Sequence, residues 1–311
     1  QIGITNESWL MRRPSCYMLE KEDLKELPVR PARSNKGTFG RVLVIAGSRN
    51  MAGAALFGAK AAYRTGCGLV KIYTPKENRI ILQTALPEAI LSVYDDKEQI
   101  WEGEADDNQI QEWKSSFADA IKWADVVVIG PGIGTGRAAR CMVEQTLEKS
   151  HVPTVLDADA LNIIAKTPEL LQGAASKLII TPHLGEMGRL IKKQIPEIQN
   201  NMIKAASDFA SQYRLICVLK DAVTVTASPD TVYLNTAGCS AMAKGGSGDV
   251  LTGIIAALAA QGMEPEKAAA FGVYIHGLAG EMAAQQKGEY SVLATDLIES
   301  IGSIMKAGNL E

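Results

Sequence analysis

The chain has 311 residues, 47% hydrophobic and 22% charged, with a formal net charge of −3, the composition of a globular protein with a sizeable core. The near-balanced charge excludes a nucleic-acid surface or a basic membrane-binding face and leaves small molecules as the expected partners. Five cysteines without CxxC spacing exclude a disulfide framework and a zinc site, no apolar run reaches the roughly 18 to 20 residues that span a bilayer, and no signal-peptide pattern opens the chain, so a reducing cytoplasm is expected.

Residues 1–35 carry Pro14, Pro28 and Pro31 and a charged stretch at 20–26. They are expected to form an arm or linker remnant that packs weakly or along the surface of a single domain, residues 36–311. From residue 36 onward, short β-branched runs at 42–46, 69–73, 126–129, 153–156, 178–180 and 215–219 alternate with helical stretches. That alternation predicts an α/β fold with a central, mostly parallel sheet flanked by helices on both faces. A hairpin follows at 223–227 and 231–234, turning at Ser228-Pro229-Asp230. Beyond it the pattern is helical, at 249–260, 266–286 and 291–306.

The polar residues share one address. Gly47 and Ser48, Gly130 to Gly132, Asp157, Thr181 to His183, and Lys220 with Asp221 each follow a predicted strand. In an open parallel sheet the carboxyl ends of strands line the ligand crevice. Each group alone reads as ordinary turn chemistry, whereas five in succession read as a site. The sixth element is Gly245-Gly246-Ser247-Gly248-Asp249, directly before an apolar helix. Unpaired amides at a helix start suit a phosphate, and glycine lets the ligand approach the main chain. Asp249 lies where a helix start lowers a carboxyl pKa, and a base that activates a hydroxyl for phosphoryl transfer fits there. Simple capping by Ser247 and Asp249 is the alternative.

Other chemistries fit less well. The run 130–136 fails GxGxxG spacing and is interrupted by Pro131, so a dinucleotide-binding fingerprint is poorly met. Neither GxxxxGK[ST] nor GxSxG occurs, and His151 and His276 read as structural.

The ordered set KGTFGRVLVIAGS (36–48), MAGAA (51–55), GPGIG (130–134), LDADAL (156–161), TPHLGEM (181–187), LKDAVTV (219–225) and GGSGDVLTGII (245–255) resembles the NAD(P)H-hydrate dehydratase family of the ribokinase-like superfamily. The resemblance implies a ribokinase-like fold and an ADP- or ATP-dependent reaction: hydrated NADH or NADPH is phosphorylated on its ring hydroxyl, and phosphate then leaves. It implies Asp249 as catalytic base, and Ala54, Gly132, His183 and Asp249 at substrate positions. It likewise implies Lys220, Asp221, Ala222, Val223, Thr224, Gly246, Ser247 and Gly248 against the nucleotide, and Glu186 as organiser of Mg2+. ADP is the expected co-substrate on likeness to bacterial members, and a homo-oligomer, often a tetramer, is the family habit. Residues 1–4 and 27–30 resemble the junction that follows an epimerase domain in two-domain members, which implies the dehydratase half of a bifunctional enzyme. One departure stands out, because the family often has Asn and Gly where this chain has Cys239 and Ala241. A vitamin-alcohol kinase sharing the GGSGD chemistry is the alternative activity. A silent nucleotide-binding protein is a third reading, against which the retained Asp249 argues.

Overall fold

The computed structural model describes residues 16–95 and 107–307; residues 1–15 of the expected arm, Pro14 included, lie outside them. The first half of the fold runs β1 (Arg41–Ile45), α1 (Ala52–Arg64), β2 (Leu69–Pro75), α2 (Arg79–Ala85), β3 (Ile90–Tyr94), α3 (Asp107–Trp123), β4 (Val126–Ile129), α4 (Arg137–Lys149), β5 (Thr154–Leu156) and α5 (Asp159–Ile164). The second half comprises β6 (Leu178–Ile180), α6 (Leu184–Ile191), α7 (Ile195–Gln199), α8 (Met202–Tyr213), β7 (Ile216–Leu219), β8 (Thr224–Ala227), β9 (Val232–Asn235), α9 (Ser247–Ala260), α10 (Pro265–Lys287) and α11 (Ala294–Ala307). Among the described residues nine strands form one sheet in the order β3-β2-β1-β4-β5-β6-β7-β8-β9, parallel from β3 to β7 and antiparallel across β8 and β9.

The predicted strands and the hairpin are all present, with ends shifted by a residue or two. β3 is an addition. Its sequence, ILSVY, is half-exposed along an edge and carries little of the β-branched density that marks the interior strands.

The runs are apolar on both faces because both faces are covered. Leu43, Ile45, Val127 and Ile129 face one core with Phe117, Met142 and Leu161. Val42, Val44, Val126 and Val128 face the other with Ala55, Ala59, Leu251 and Ile255. Register then places the site, since Ile45 stands opposite Ile129, Ile129 opposite Leu156, and Leu156 opposite Ile180. Four strands end level, so the loops after them open at one height.

α9 is apolar on nearly every side and packs against α1 along a glycine seam. A Cβ on Gly253 would lie 2.2 Å from the Gly58 carbonyl oxygen, and one on Gly58 would lie 3.4 Å from the Asp249 carbonyl oxygen. The two backbones touch where the catalytic loop joins its helix. α10 and α11 close the back of this layer, with Phe271, Ile275, Leu297 and Ile301 buried.

The described part of the arm lies on the domain surface and is tied to it at several points. Tyr17 pairs with Tyr233 of β9, Leu24 and Leu27 are each 3% exposed, and Arg30 Nη1 donates to the Gly66 carbonyl at 2.7 Å. The charged stretch at 20–26 thus hides Leu24 on a 3-10 turn, Lys21–Glu26, whose polar residues face out. Among the described residues, no helix is long and apolar enough to cross a membrane.

Candidate active site

The glycine loop is built around one residue that only glycine can be. Gly246 has φ 92° and is the N-cap of α9, and a Cβ there would fall 2.7 Å from ring atoms of Phe57 on α1. Neither Ser247 nor Asp249 caps the helix with its side chain, and Ser247 Oγ is buried without a hydrogen-bond partner. Capping therefore does not account for these residues. The helix start offers its outward amides, and Asp249 stands in the first turn beside them.

Asp249 is not held low by the helix dipole, as its position at a helix start led one to expect. Burial, reinforced by the charge of Asp157 and opposed by Lys220, pushes its carboxyl up to about 7. Desolvation of a carboxylate outweighs the fraction of a charge that a helix N-terminus supplies.

The residue that sets this field comes from the end of β5. Asp157 is 2% exposed and binds Lys220 at 3.0 Å between Oδ1 and Nζ. A Cβ on Gly248 would lie 3.4 Å from Lys220 Nζ and 3.7 Å from Asp157 Oδ2, so the pair sits against the glycine loop. Burial lowers the pKa of Lys220, but Asp157, Glu186 and Asp249 together hold it above the ordinary value. One ammonium thus serves three carboxylates. Sequence reading put Asp157 at a strand end without a role, and its partner 63 residues away carries no local signal.

Ala158, next to Asp157, has φ 50° and ψ −117°, a conformation that costs a non-glycine residue about 1–3 kcal/mol. It turns Asp157 toward Lys220 while Asp159 accepts the Gly134 amide at 2.8 Å.

Glu186 starts α6 with His183. The His183 amide donates to Glu186 Oε2 at 2.9 Å, the Gly185 amide donates to His183 Nδ1 at 2.9 Å, and His183 Nε2 is 3.5 Å from Glu186 Oε1. Burial raises the Glu186 pKa, opposed by Lys220 and assisted by Asp157. The ends of β6 and β7 are tied together, since the Lys220 amide donates to the Pro182 carbonyl at 2.8 Å.

Across the crevice, Ala54 and Gly132 adjoin. A Cβ on Gly132, at φ 66°, would come 3.0 Å from the Ala54 Cβ. Of the nucleotide segment, Asp221, Ala222 and Val223 are exposed and Thr224 is buried at the start of β8. The Asp221 carboxylate accepts Gln199 Nε2 at 3.1 Å. Lys220 instead points to Asp157 and Gly248. His276, on α10, hydrogen-bonds the Ser247 backbone, and burial drives its pKa down to about 4. It backs the loop as a neutral group.

A doubly covered parallel sheet with its polar groups at the strand ends, a positive-φ glycine at a buried helix start and a carboxylate in its first turn defines a ribokinase-like protein. Chains of that shape confirm the class: a ribokinase-like superfamily protein from Enterococcus faecalis is 26% identical with a TM-score of 0.79, covering 96% of this chain and 98% of its own. The chain belongs to the NAD(P)H-hydrate dehydratase family, whose model matches residues 42–303. The bifunctional NAD(P)H-hydrate repair enzyme Nnr of Moorella thermoacetica is 38% identical over 92% of this chain and 52% of its own length, and that of Escherichia coli 37% over 96% and 54%. The chain spans about half the length of the curated relatives it matches. The ADP/ATP-dependent NAD(P)H-hydrate dehydratase of Bacillus subtilis, co-crystallised with ATP and Mg2+, is 32% identical, with a TM-score of 0.79 over 93% of this chain and 98% of that one.

Proposed function

We propose that the chain is an ADP- or ATP-dependent dehydratase of hydrated NADH and NADPH, with Asp249 as its general base. The observation that carries this reading is Asp249 itself, a carboxyl held near pKa 7 in the first turn of a helix whose amides face outward. A base of that acidity accepts a hydroxyl proton effectively at neutral pH. The hydrate's ring hydroxyl attacks the terminal phosphorus of the nucleotide, its proton passes to Asp249, and the bond to the nucleotide's leaving oxygen breaks. The carbon–oxygen bond then breaks with loss of a neighbouring ring proton, releasing phosphate and restoring the reduced nicotinamide. Amides of Gly246, Ser247 and Gly248 stabilise the transferring group.

Ala54 and Gly132, in contact on one wall, and His183 on the other flank the hydrate, while Gly248 and residues 220–224 receive the nucleotide. The exposed backbone of Asp221, Ala222 and Val223 suits adenosine, whereas the Lys220 ammonium belongs to the phosphate end beside Gly248.

The donor set fits a magnesium ion that arrives with phosphate. No group of three or more His, Cys, Asp and Glu among the described residues forms a closed cage, and Mg2+ takes one or two carboxylates together with phosphate oxygens and water. Glu186 would hold it. When bound, the ion would neutralise phosphate charge next to Asp157 and Asp249. The Bacillus subtilis relative's co-crystallisation with ATP and Mg2+ supports this part of the reading. A reducing, cytoplasmic setting accords with five free thiols, and a homo-oligomer accords with the family habit.

The test offers hydrated NADH with ADP or ATP and follows absorbance of the reduced nicotinamide. Its return, with one phosphate released per turnover, is expected. A stable phosphorylated product would instead mark a kinase.

A further inference from the structure

Beyond His183 the crevice continues along α6, where one cation is held by a relay from the glycine loop. Arg189 is exposed and donates through Nε to Asn162 Oδ1 at 2.9 Å. Asn162 Nδ2 donates to Asp159 Oδ1 at 3.4 Å, and Asp159 Oδ2 accepts the Gly134 amide at 2.8 Å. Three hydrogen bonds thus run from the loop 130–136, through the start of α5, to the guanidinium. The same group folds back toward the start of α6. A Cβ on Gly185 would lie 3.8 Å from Arg189 Nη1 and 2.8 Å from His183 Cε1, so cation and imidazole share one neighbourhood.

The relay occupies only Nε, and Arg189 makes no ion pair with a carboxylate among the described residues. A guanidinium anchored at Nε presents its terminal nitrogens as a planar fork that matches phosphate. A structural tie to Asn162 needs one hydrogen bond and no charge.

The chemistry of the substrate says which phosphate meets it. In a hydrated dinucleotide the reacting hydroxyl is on the nicotinamide ring, next to Asp249. The pyrophosphate, and in NADPH the phosphate on the adenosine ribose, lie farther along the same molecule. We infer that Arg189 is a specificity-determining residue that binds a non-reacting phosphate of the dinucleotide, with Asp159 and Asn162 as its positioning residues. This rests on the dehydratase reading.

The test compares Arg189→Met and Arg189→Lys with the unaltered protein, in binding and in turnover. Binding of NADPH, NADH and reduced nicotinamide riboside, which carries no phosphate, is followed by nicotinamide fluorescence. Turnover of the corresponding hydrates is measured with ADP. Arg189→Met is expected to weaken NADPH binding and raise the KM of its hydrate by about ten- to hundredfold. The kcat, the KM for ADP and the affinity for the riboside stay unchanged, and Arg189→Lys recovers part of the loss. Equal losses for NADH and NADPH assign the pyrophosphate, and a loss confined to NADPH assigns the ribose phosphate. Unchanged NADPH affinity, or an equal loss with the riboside, overturns the inference. If the unaltered protein binds NADPH through Arg189 yet never turns over a hydrate, the dehydratase reading fails and the phosphate contact stands. Turnover that is indifferent to Arg189 removes the contact alone.

Discussion

Lys220 and Asp157 meet at 3.0 Å, and between them they set the acidity of a third residue, because Lys220 stabilises the Asp249 carboxylate while Asp157 destabilises it. The base is tuned by two opposed neighbours, and each can be removed separately.

Activity should therefore rise with pH along a limb near 7, since Asp249 must lose its proton before it can take one. Asp157→Asn deletes the destabilising charge and moves that limb to lower pH. Lys220→Met deletes the stabilising charge and moves it to higher pH. Profiles of kcat/KM measured over about three pH units on either side of 7 check both directions. A limb that stays fixed in both variants would show that the titrating group is not Asp249.

Lys220→Met also leaves Asp157, whose side chain is 3% exposed, charged and alone. Breaking a buried pair in this way costs about 3–5 kcal/mol. Chemical denaturation at pH 8 should show that loss, and the double variant with Asp157→Asn should recover much of it.

Asp249→Asn keeps the size of the side chain but cannot accept the hydroxyl proton. Single-turnover phosphoryl transfer should fall roughly 100- to 10,000-fold with nucleotide affinity nearly unchanged. A variant that retains more than about a tenth of the turnover, well short of that loss, would falsify the assignment of Asp249 as base.

The same variant has a stability signature. The folded protein binds the Asp249 proton up to about pH 7, whereas the unfolded chain releases it near the model value of 3.8. The folded state holds more protons between these values, so this group's contribution is fully present below 3.8 and is lost as pH rises through about 7. Asp249→Asn should accordingly melt higher than the unaltered protein at pH 8, by an amount worth about 1–3 kcal/mol, with the gap closing toward pH 4. Melting curves at several pH values decide it.

Gly253→Ala tests the seam between α1 and α9. The new methyl would stand 2.2 Å from the Gly58 carbonyl oxygen, so a backbone has to move. A destabilisation of about 2–4 kcal/mol is expected, with kcat reduced because Asp249 begins the same helix.

The strands of the interior were legible because apolar β-branched runs bury on both faces, and strand ends pointed to the crevice through turn residues alone. β3 was not legible, being a half-exposed edge in which Ile90, Leu91 and Val93 are diluted by Ser92. Gly246 was readable as a conformational need, since glycine is the residue for positive φ at a helix start. The pairing of Asp157 with Lys220 was not, because contact across β5, β6 and β7 is a property of strand order and not of spacing. Helix position gave the wrong sign for Asp249, as a local rule about dipoles carries no knowledge of how deeply the packed sheet buries a side chain. Leu24 and Leu27 lay inside a stretch read for its charge, and their three-residue spacing was the signal that they turn inward.

Tyr17 has a consequence for the behaviour of the chain in bulk. Its amide donates to the Val232 carbonyl and its carbonyl accepts the Leu234 amide, both at 2.8 Å, so it satisfies the outer side of β9, the last strand of the sheet. An unpaired strand edge is a template on which a second chain can continue the sheet. A chain shortened past Tyr17 would keep its crevice and expose that edge, turning a catalyst into a seed for aggregation.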